Sequence, residues 1–384
     1  VLTVVDALRL GGAETLIAQL GRVSAGAGIE LSVLSLHGRS EELSKLEPLL
    51  RDAGVVPDYL DVRRTIDIAG FRRLVGYLKA NRPDVVHAHL EMAMTMAIPA
   101  ARLADIPAVG TFHHVHRPLS GRSSARERLA VEIATRSAAA IFVSQASLIS
   151  FAERYRRSRP VPAWWTVVHN GIDLEYFTPA PTPGVAPLPP DLGISGVPVV
   201  TVLAALRDFK GINHAIDAWP AVLDRQPTAR LLLVGSGEQE TALRAQVTRL
   251  KLTDSVVFAG MRSDIPAVLR GSDLVLLPSI YGENLPTVLM EAGGCGRPVV
   301  ASDVGGIGDI VANGETGLLV PPGDAPAIAT AVLHLLDDAD LRNQMGGAGR
   351  RRMERLFDAR LWAGSLRAVY QKAIDARGRV EVST

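Results

Sequence analysis

Hydrophobic positions along the chain fall into two kinds of run. Short β-branched runs, almost continuous in apolar residues, alternate with longer segments in which apolar positions recur every three to four residues. The short runs of the first half are Leu2–Asp6, Leu31–Leu36, Val85–His89, Ala108–His114, Ala140–Ser144 and Thr166–Gly171. Those of the second half are Val199–Leu206, Arg230–Gly235, Ser255–Gly260, Leu274–Ser279, Pro298–Ser302 and Gly317–Pro321. Runs that do not alternate polar with apolar predict strands covered on both faces, as in a parallel sheet. The amphipathic stretches between them, such as AETLIAQLGRV and PAIATAVLHLLDD, predict crossover helices and therefore βαβ units.

A proline-rich stretch, Thr178–Pro198, interrupts this alternation. Proline is excluded from helix interiors and central strands, so the stretch predicts a surface linker. The expected organisation is an α/β chain of two doubly wound, Rossmann-like domains, residues 1–177 and 199–358, joined by 178–198. The final segment, 359–384, predicts a helix that could belong to either domain. In open α/β sheets ligands bind beyond the carboxyl ends of the strands, so two such sheets facing each other would form a cleft between them.

Composition narrows the function. With 41 basic and 40 acidic side chains the net charge is +1, which argues against a protein built to coat nucleic acid. The single cysteine, Cys295, rules out an intrachain disulfide or a cysteine metal cluster and fits a reducing cytosol. No apolar run reaches the roughly 18 residues of a membrane span and no signal-peptide pattern opens the chain, so a cytoplasmic location is expected.

Residues with chemical potential follow the predicted strand ends. In LPSIYGENLPTVLMEAGG, Asn284 and Pro286 predict a helix start, where free N–H groups and the helix dipole favour a phosphate. At about 1.5 Å per residue, Glu291 would lie roughly 12 Å along from Glu283. That exceeds the about 5–9.5 Å between the paired carboxylates of a glycosidase. It suits a ligand with hydroxyl groups on both sides of a phosphate, as in a nucleotide sugar. Glu291 also sits among apolar neighbours, where a bare carboxylate is costly. Arg207 and Lys210 leave a strand end three residues apart, and two cations there would stabilise a departing diphosphate. Gly11 and Gly12 precede a helix and permit close backbone approach to a ligand; the pattern is not GxGxxG. Gly235 offers a similar approach to a nucleotide.

The histidines of Val85–His89 and of Ala108–His114 lack acidic or cysteine ligands at metal-binding spacing, so no metal site is expected. His87 and His89 predict buried strand groups bonded to backbone, and His113 a substrate contact. Basic segments at 122–128 and 154–165, the second ending in Trp164 and Trp165, raise peripheral contact with the inner membrane face or with a phosphate-bearing acceptor.

These residues resemble one family throughout: the retaining glycosyltransferases of family 4, of GT-B architecture. The likeness is carried by GGAET, PDVVHAH, GTFHH, VVHNGIDLEYFTP, RDFKGI, LLLVGSGEQE, FAGMRSDIPAVL, ENLPTVLMEAGGCGRPVVAS and NGETGLLVPPGD. It implies transfer of a hexose from a nucleotide-diphosphate sugar, most often a UDP sugar, to an acceptor hydroxyl. The acceptor would be a lipid-linked saccharide or a small molecule, and no metal or other cofactor is needed. Glu283 would meet the hexose, Asn284, Leu285, Pro286 and Thr287 the sugar and diphosphate, and Glu291 the ribose. Arg207 and Lys210 would hold the phosphates, and Met261 and Arg262 would lie beside the base. His113 would stand near the donor sugar, with Gly11 and Gly12 on the acceptor and phosphate side, and the last helix would cross back to the first domain. Two departures stand out: Glu283-Asn284-Leu285-Pro286 replaces the commoner E-x-F-G, and Ala292-Gly293-Gly294 replaces A-M-A. A nucleotide-sugar epimerase of the same architecture and a non-catalytic nucleotide-sugar binder are the alternatives.

Overall fold

The computed structural model describes residues 1–9, 12–62, 64, 67–116, 121–156, 159–181 and 186–381, without the side chains of 12–14, 121–123 and 378–381. The chain forms two compact units, Val1–Gly171 with Ala359–Thr384, and Ile172–Asp358.

The first unit carries strands β1 (Leu2–Val5), β2 (Ser32–Ser35), β3 (Asp58–Tyr59), β4 (Val86–His89), β5 (Ala108–Phe112), β6 (Ala139–Phe142) and β7 (Trp165–Val167). Its helices are α1 (Gly12–Ser24), α2 (Glu47–Asp52), α3 (Ile68–Asn81), α4 (Glu91–Leu103), α5 (Gly121–Ala134) and α6 (Gln145–Tyr155). The strands form one parallel sheet in the order β3-β2-β1-β4-β5-β6-β7. Each predicted run appears as a strand; β3, two residues at the sheet edge, has no apolar run to announce it. Leu2, Val4, Val86 and Phe112 pack on one face against α3, α4, α5 and α6. Val85, Val109 and Ile141 pack on the other, against α1 and the last helix. Phe112, Phe142 and Phe151 pack together at centroid separations of 4.7–5.6 Å, each burial contributing about 1.5–3 kcal/mol.

The second unit repeats the plan. Its strands are β8 (Val199–Leu203), β9 (Arg230–Val234), β10 (Val256–Gly260), β11 (Leu274–Leu277), β12 (Val299–Ser302) and β13 (Gly317–Val320). They lie parallel in the order β10-β9-β8-β11-β12-β13. The helices are α7 (Ile212–Leu223), α8 (Glu240–Arg249), α9 (Ile265–Arg270), α10 (Thr287–Gly294), α11 (Ile307–Ile310), α12 (Ala325–Asp337) and α13 (Ala339–Leu356). Trp219 of α7 and Ile328, Val332 and Leu335 of α12 share the main core. Asp324 and Asp338 cap α12 and α13 by accepting from Ala327 N and Leu341 N, each at 2.9 Å.

The last helix, α14 (Ala359–Glu381), lies against α1, with Trp362, Leu366 and Tyr370 entering the core of the first unit. Residues 172–177, which the sequence boundary places in the first domain, are held to the second unit. The Arg350 guanidinium donates to the carbonyls of Leu174, Phe177 and Gly294, and Ile172 N donates to Phe357 O at 2.8 Å. Within the expected linker, Leu188 is buried against Val199, Leu232 and Val268. Among the described residues no helix is long and apolar enough to cross a membrane.

Candidate active site

Both sheets reverse their strand order at the first strand, between β1 and β4 and between β8 and β11. Ligands of doubly wound sheets bind beyond the carboxyl ends of the strands at such a switch point. Arg207, Lys210 and Glu283 follow β8 and β11, whereas Gly235 follows β9 and Met261 and Arg262 follow the edge strand β10.

In the second unit, β8 runs into a one-turn 3-10 helix, Asp208–Lys210. Lys210 Nζ reaches Glu283 Oε1 at 2.5 Å, and Ser279 Oγ donates to the same oxygen at 2.5 Å. Glu283 is buried and Lys210 nearly so, so this is an ion pair with little water to compete for it. The loop carrying Glu283 is set by Gly305, whose φ is +58°. A Cβ on Gly305 would stand 1.8 Å from the Glu283 carbonyl oxygen. Gly235 plays the same part for the loop after β8: its φ is +135°, and a Cβ would stand 2.0 Å from Ala204 O. Arg207 is placed differently from Lys210. Its side chain is largely exposed and pairs only loosely, at 4.0 Å, with Glu238.

The helix after Glu283 starts later than its sequence predicts. Pro286, with φ −66° and ψ 117°, occupies the N-cap and Thr287 is the first helical residue. A residue before proline is disfavoured in the helical region, so Leu285 cannot open the helix and Asn284 is not its cap. Asn284 and Leu285 are instead buried in the approach to α10. Helical spacing therefore applies only from Thr287 onward, and the roughly 12 Å figure does not describe Glu283 to Glu291. Burial pushes the Glu291 carboxyl up to about 7, against a smaller opposing hydrogen bond from Thr287. Met261 is exposed, whereas the Arg262 guanidinium is committed to Asp191 and Asp264 through four hydrogen bonds of 2.6–3.2 Å.

In the first unit, a cavity of about 310 Å³ lies beyond β1, β4 and β5, lined by Asp6, Glu91, Thr95, His113, His114 and Arg126 among others. Asp6 Oδ1 accepts from Ala93 N in the first turn of α4 at 2.7 Å. Gly12 opens α1, while Gly11 lies outside the described residues. His113 Nε2 stands 2.8 Å from His89 Nδ1. His87 Nδ1 meets Tyr370 OH at 2.7 Å and its Nε2 meets Thr111 Oγ1 at 2.6 Å. The histidines of β4 are thus bonded to side chains, not to backbone as their sequence suggests. The β4 backbone is spent on its ladders with β1 and β5, which leaves the buried rings to pair among themselves. Burial pushes the His113 imidazole down to about 4 and His87 to about 3, and holds His89 well below its ordinary value.

A cluster that the sequence hides surrounds Glu127, a fully buried acid inside a basic segment. His114 Nε2 lies 3.1 Å from its Oε2, and His116 Nδ1 and Tyr155 OH lie 2.6 and 2.5 Å from its Oε1. Glu91, His114 and Glu127 bring three potential ligand atoms within 4.8 Å of one another. Both Glu127 oxygens already have protein partners that a metal would have to displace. The flanking arginines gave no sign of this burial. Of the membrane candidates, Trp164 and Arg154 face solvent, Trp165 is core, and Arg157 lies outside the described residues.

The twin parallel sheets are shared with solved structures. The structure of Anabaena HepE in complex with UDP matches with a TM-score of 0.81 at 23% identity, over 96% of this chain and 98% of that one. The fold is that of two Rossmann-like halves, and the sequence relatives give its class, glycosyltransferase. Residues 188–352 match the family described as glycosyl transferases group 1, and residues 10–176 match glycosyltransferase family 4. Glycogen synthase of Mycobacterium tuberculosis is 31% identical over 313 residues, 79% of this chain and 73% of that protein. Phosphatidyl-myo-inositol mannosyltransferase of Mycobacterium leprae is 27% identical over 387 residues, 97% of this chain and 96% of that protein. The chain belongs to the family 4 glycosyltransferases, with the GT-B architecture.

Proposed function

We propose that this enzyme moves a hexose from a UDP sugar to an acceptor hydroxyl, with retention of configuration and without a metal. The observation that carries the reading is the Lys210–Glu283 pair at the β8/β11 switch point, beside the start of α10. Glu283 accepts from the hexose hydroxyls, and the backbone from Asn284 to Thr287 lies along sugar and diphosphate. Glu291 takes the ribose, while Met261 and Arg262 flank the base and Gly235 allows the nucleotide to approach. Lys210 turns part of its charge from Glu283 to the leaving phosphate, and Arg207, exposed in the free protein, folds onto it. As the bond from the anomeric carbon to the phosphate oxygen breaks, charge grows on the diphosphate, and these cations stabilise it more than they stabilise the ground state. The acceptor oxygen bonds to the same face of that carbon and its proton passes to a phosphate oxygen. The acceptor, a lipid-linked saccharide or a small polyol, is assigned to the first unit, with Gly11 and Gly12 on its side and His113 near the donor sugar. The UDP bound to HepE supports the base, and the mycobacterial mannosyltransferase supports a lipid-linked acceptor.

Thermal-shift measurements against UDP, GDP and ADP and their sugars identify the donor, since a ligand of the native state raises its stability. With that donor, Arg207→Ala plus Lys210→Ala is expected to lower kcat by several kcal/mol of transition-state stabilisation, at about 1.5–3 per charged hydrogen bond. Unchanged turnover would overturn the phosphate assignment.

We also propose a cytoplasmic enzyme that touches anionic membrane through Arg154 and Trp164. It should sediment with phosphatidylglycerol vesicles, and Arg154→Glu with Trp164→Ser should reduce the bound fraction. Wild-type protein that stays in the supernatant would rule this contact out.

A further inference from the structure

We propose that His89 is a positioning residue that fixes the proton of His113, so that His113 offers an N–H to its ligand and does not act as a base. This deepens the transfer reading above and rests on His113 acting there. Two neutral imidazoles share one hydrogen bond, His89 Nδ1 to His113 Nε2 at 2.8 Å. Burial keeps both rings neutral in the physiological range, so one nitrogen must donate and the other accept.

The choice falls on His89, because its far nitrogen is constrained. His89 Nε2 is buried and has no hydrogen-bond partner. That ring lies beside His87, tilted by 40° at a centroid distance of 4.0 Å. If His113 donated, His89 would carry its proton on Nε2 and leave a buried N–H with no acceptor. Orphaned N–H groups are the rarer defect in folded proteins, and a bare acceptor is better tolerated. The arrangement with a proton on His89 Nδ1 avoids the orphan donor. His113 Nε2 then accepts, and the proton of His113 resides on Nδ1.

His87 sets this up from behind. Its two nitrogens are engaged by Tyr370 of α14 and Thr111 of β5, which leaves neither of them for His89. His113 lines the 310 Å³ cavity and its Nδ1 has no partner among the described residues. A ligand there meets a hydrogen-bond donor. Such a donor stabilises a hydroxyl oxygen or a developing negative charge on oxygen, but it has no free lone pair with which to take a proton. In the transfer step the acceptor oxygen bonds to the anomeric carbon, the carbon–phosphate-oxygen bond breaks, and the acceptor proton goes to the departing phosphate. The histidine stays neutral from start to finish.

The test has two arms. In ligand-free protein labelled with 15N-histidine, His113 is assigned by loss of its signals in His113→Asn. Two-bond and three-bond 1H–15N correlations at pH 7 should show its Nδ1 protonated and its Nε2 bare, and a protonated Nε2 would overturn the inference. In the second arm, release of UDP from UDP-glucose is followed with water as acceptor. His113→Asn keeps an N–H near the Nδ1 position and should retain turnover within about tenfold, whereas His113→Phe should lose about 100-fold. Equal loss in both variants would point to a base and overturn the donor role. His89→Asn, which can still donate from the Nδ1 position, should restore most of the kcat lost in His89→Leu, with little change in the KM for UDP-glucose. Absence of that rescue would deny His89 its positioning role. If the proton is found on Nδ1 but every His113 variant is fully active, it is the catalytic use of His113 that fails, and the positioning by His89 stands as measured.

Discussion

At neutral pH the Glu291 carboxyl is divided between an acid and a carboxylate, because burial brings its pKa to about 7. The native state then holds a proton that the unfolded chain releases near the ordinary value of 4.5. This residue's contribution to stability is therefore complete below about 4.5 and is lost as pH rises through about 7, a loss of up to about 3 kcal/mol. Urea titrations at pH 5 and pH 8 should show that Glu291→Gln removes this part of the pH dependence. If Glu291 accepts from a ribose hydroxyl, the nucleotide favours the ionised form and must expel the proton. Calorimetry of UDP binding at pH 7 in buffers of different ionisation enthalpy should report release of about half a proton, absent in Glu291→Gln. Equal enthalpies in both buffers would contradict the ribose contact. The apolar setting of Glu291, itself half-buried, was legible in the sequence, since its neighbours Val288, Leu289, Met290 and Ala292 are apolar and buried. The burial of Glu127 was not, because its shell of His114, His116 and Tyr155 comes from elements distant in sequence.

At the scale of elements, the loop before α10 depends on a residue in a different loop. Gly305 has its positive φ and its contact with the Glu283 carbonyl because two loops at one sheet end pass within main-chain distance. In Gly305→Ala the obstacle is backbone, which has no rotamer to move aside. The Glu283 segment must shift, which disturbs its pairing with Lys210. Strain should cost about 1–3 kcal/mol in stability, and misplacement of the site about 100-fold in kcat/KM. Wild-type kcat/KM in a folded Gly305→Ala protein would show that the Glu283 position does not matter. Sequence reading found the central strands because burial on both faces writes itself as an unbroken apolar run. It missed β3, which is too short to carry such a run, and placed the cap of α10 too early, where Asn284 looked better qualified than proline. The steric rule for the residue before proline decided that boundary. The partners of Lys210 were beyond reach, since 73 residues separate it from Glu283.

For the whole molecule, the proline-rich stretch at Thr178–Pro198 looked like the domain boundary, but the units divide between Gly171 and Ile172. Prolines marked an irregular path; they did not reveal that Leu188 is buried along it or that Arg350 secures the residues before it. The second unit is one continuous segment whose ends, Ile172 and Asp358, are paired by a β-bridge. A fragment covering 172–358 is expected to fold alone and to show a rise in Tm with UDP. At 100 times the Kd, a native-state ligand adds about 2.7 kcal/mol. A fragment that folds yet shows no shift with any nucleoside diphosphate would remove the donor site from this unit.

The placement of α14 reverses the usual order of assembly during synthesis. Domains generally mature in the order in which the ribosome delivers them. Here the first 171 residues emerge without Trp362, Leu366 and Tyr370, which complete one face of their core. Until α14 follows, that face is open and His87 lacks the hydroxyl that Tyr370 supplies. The later-born segment 172–358 can therefore reach its native state while the earlier one waits. On the donor and acceptor assignment proposed above, a nascent chain caught part-way through translation would hold its sugar donor while the acceptor side is still unfinished.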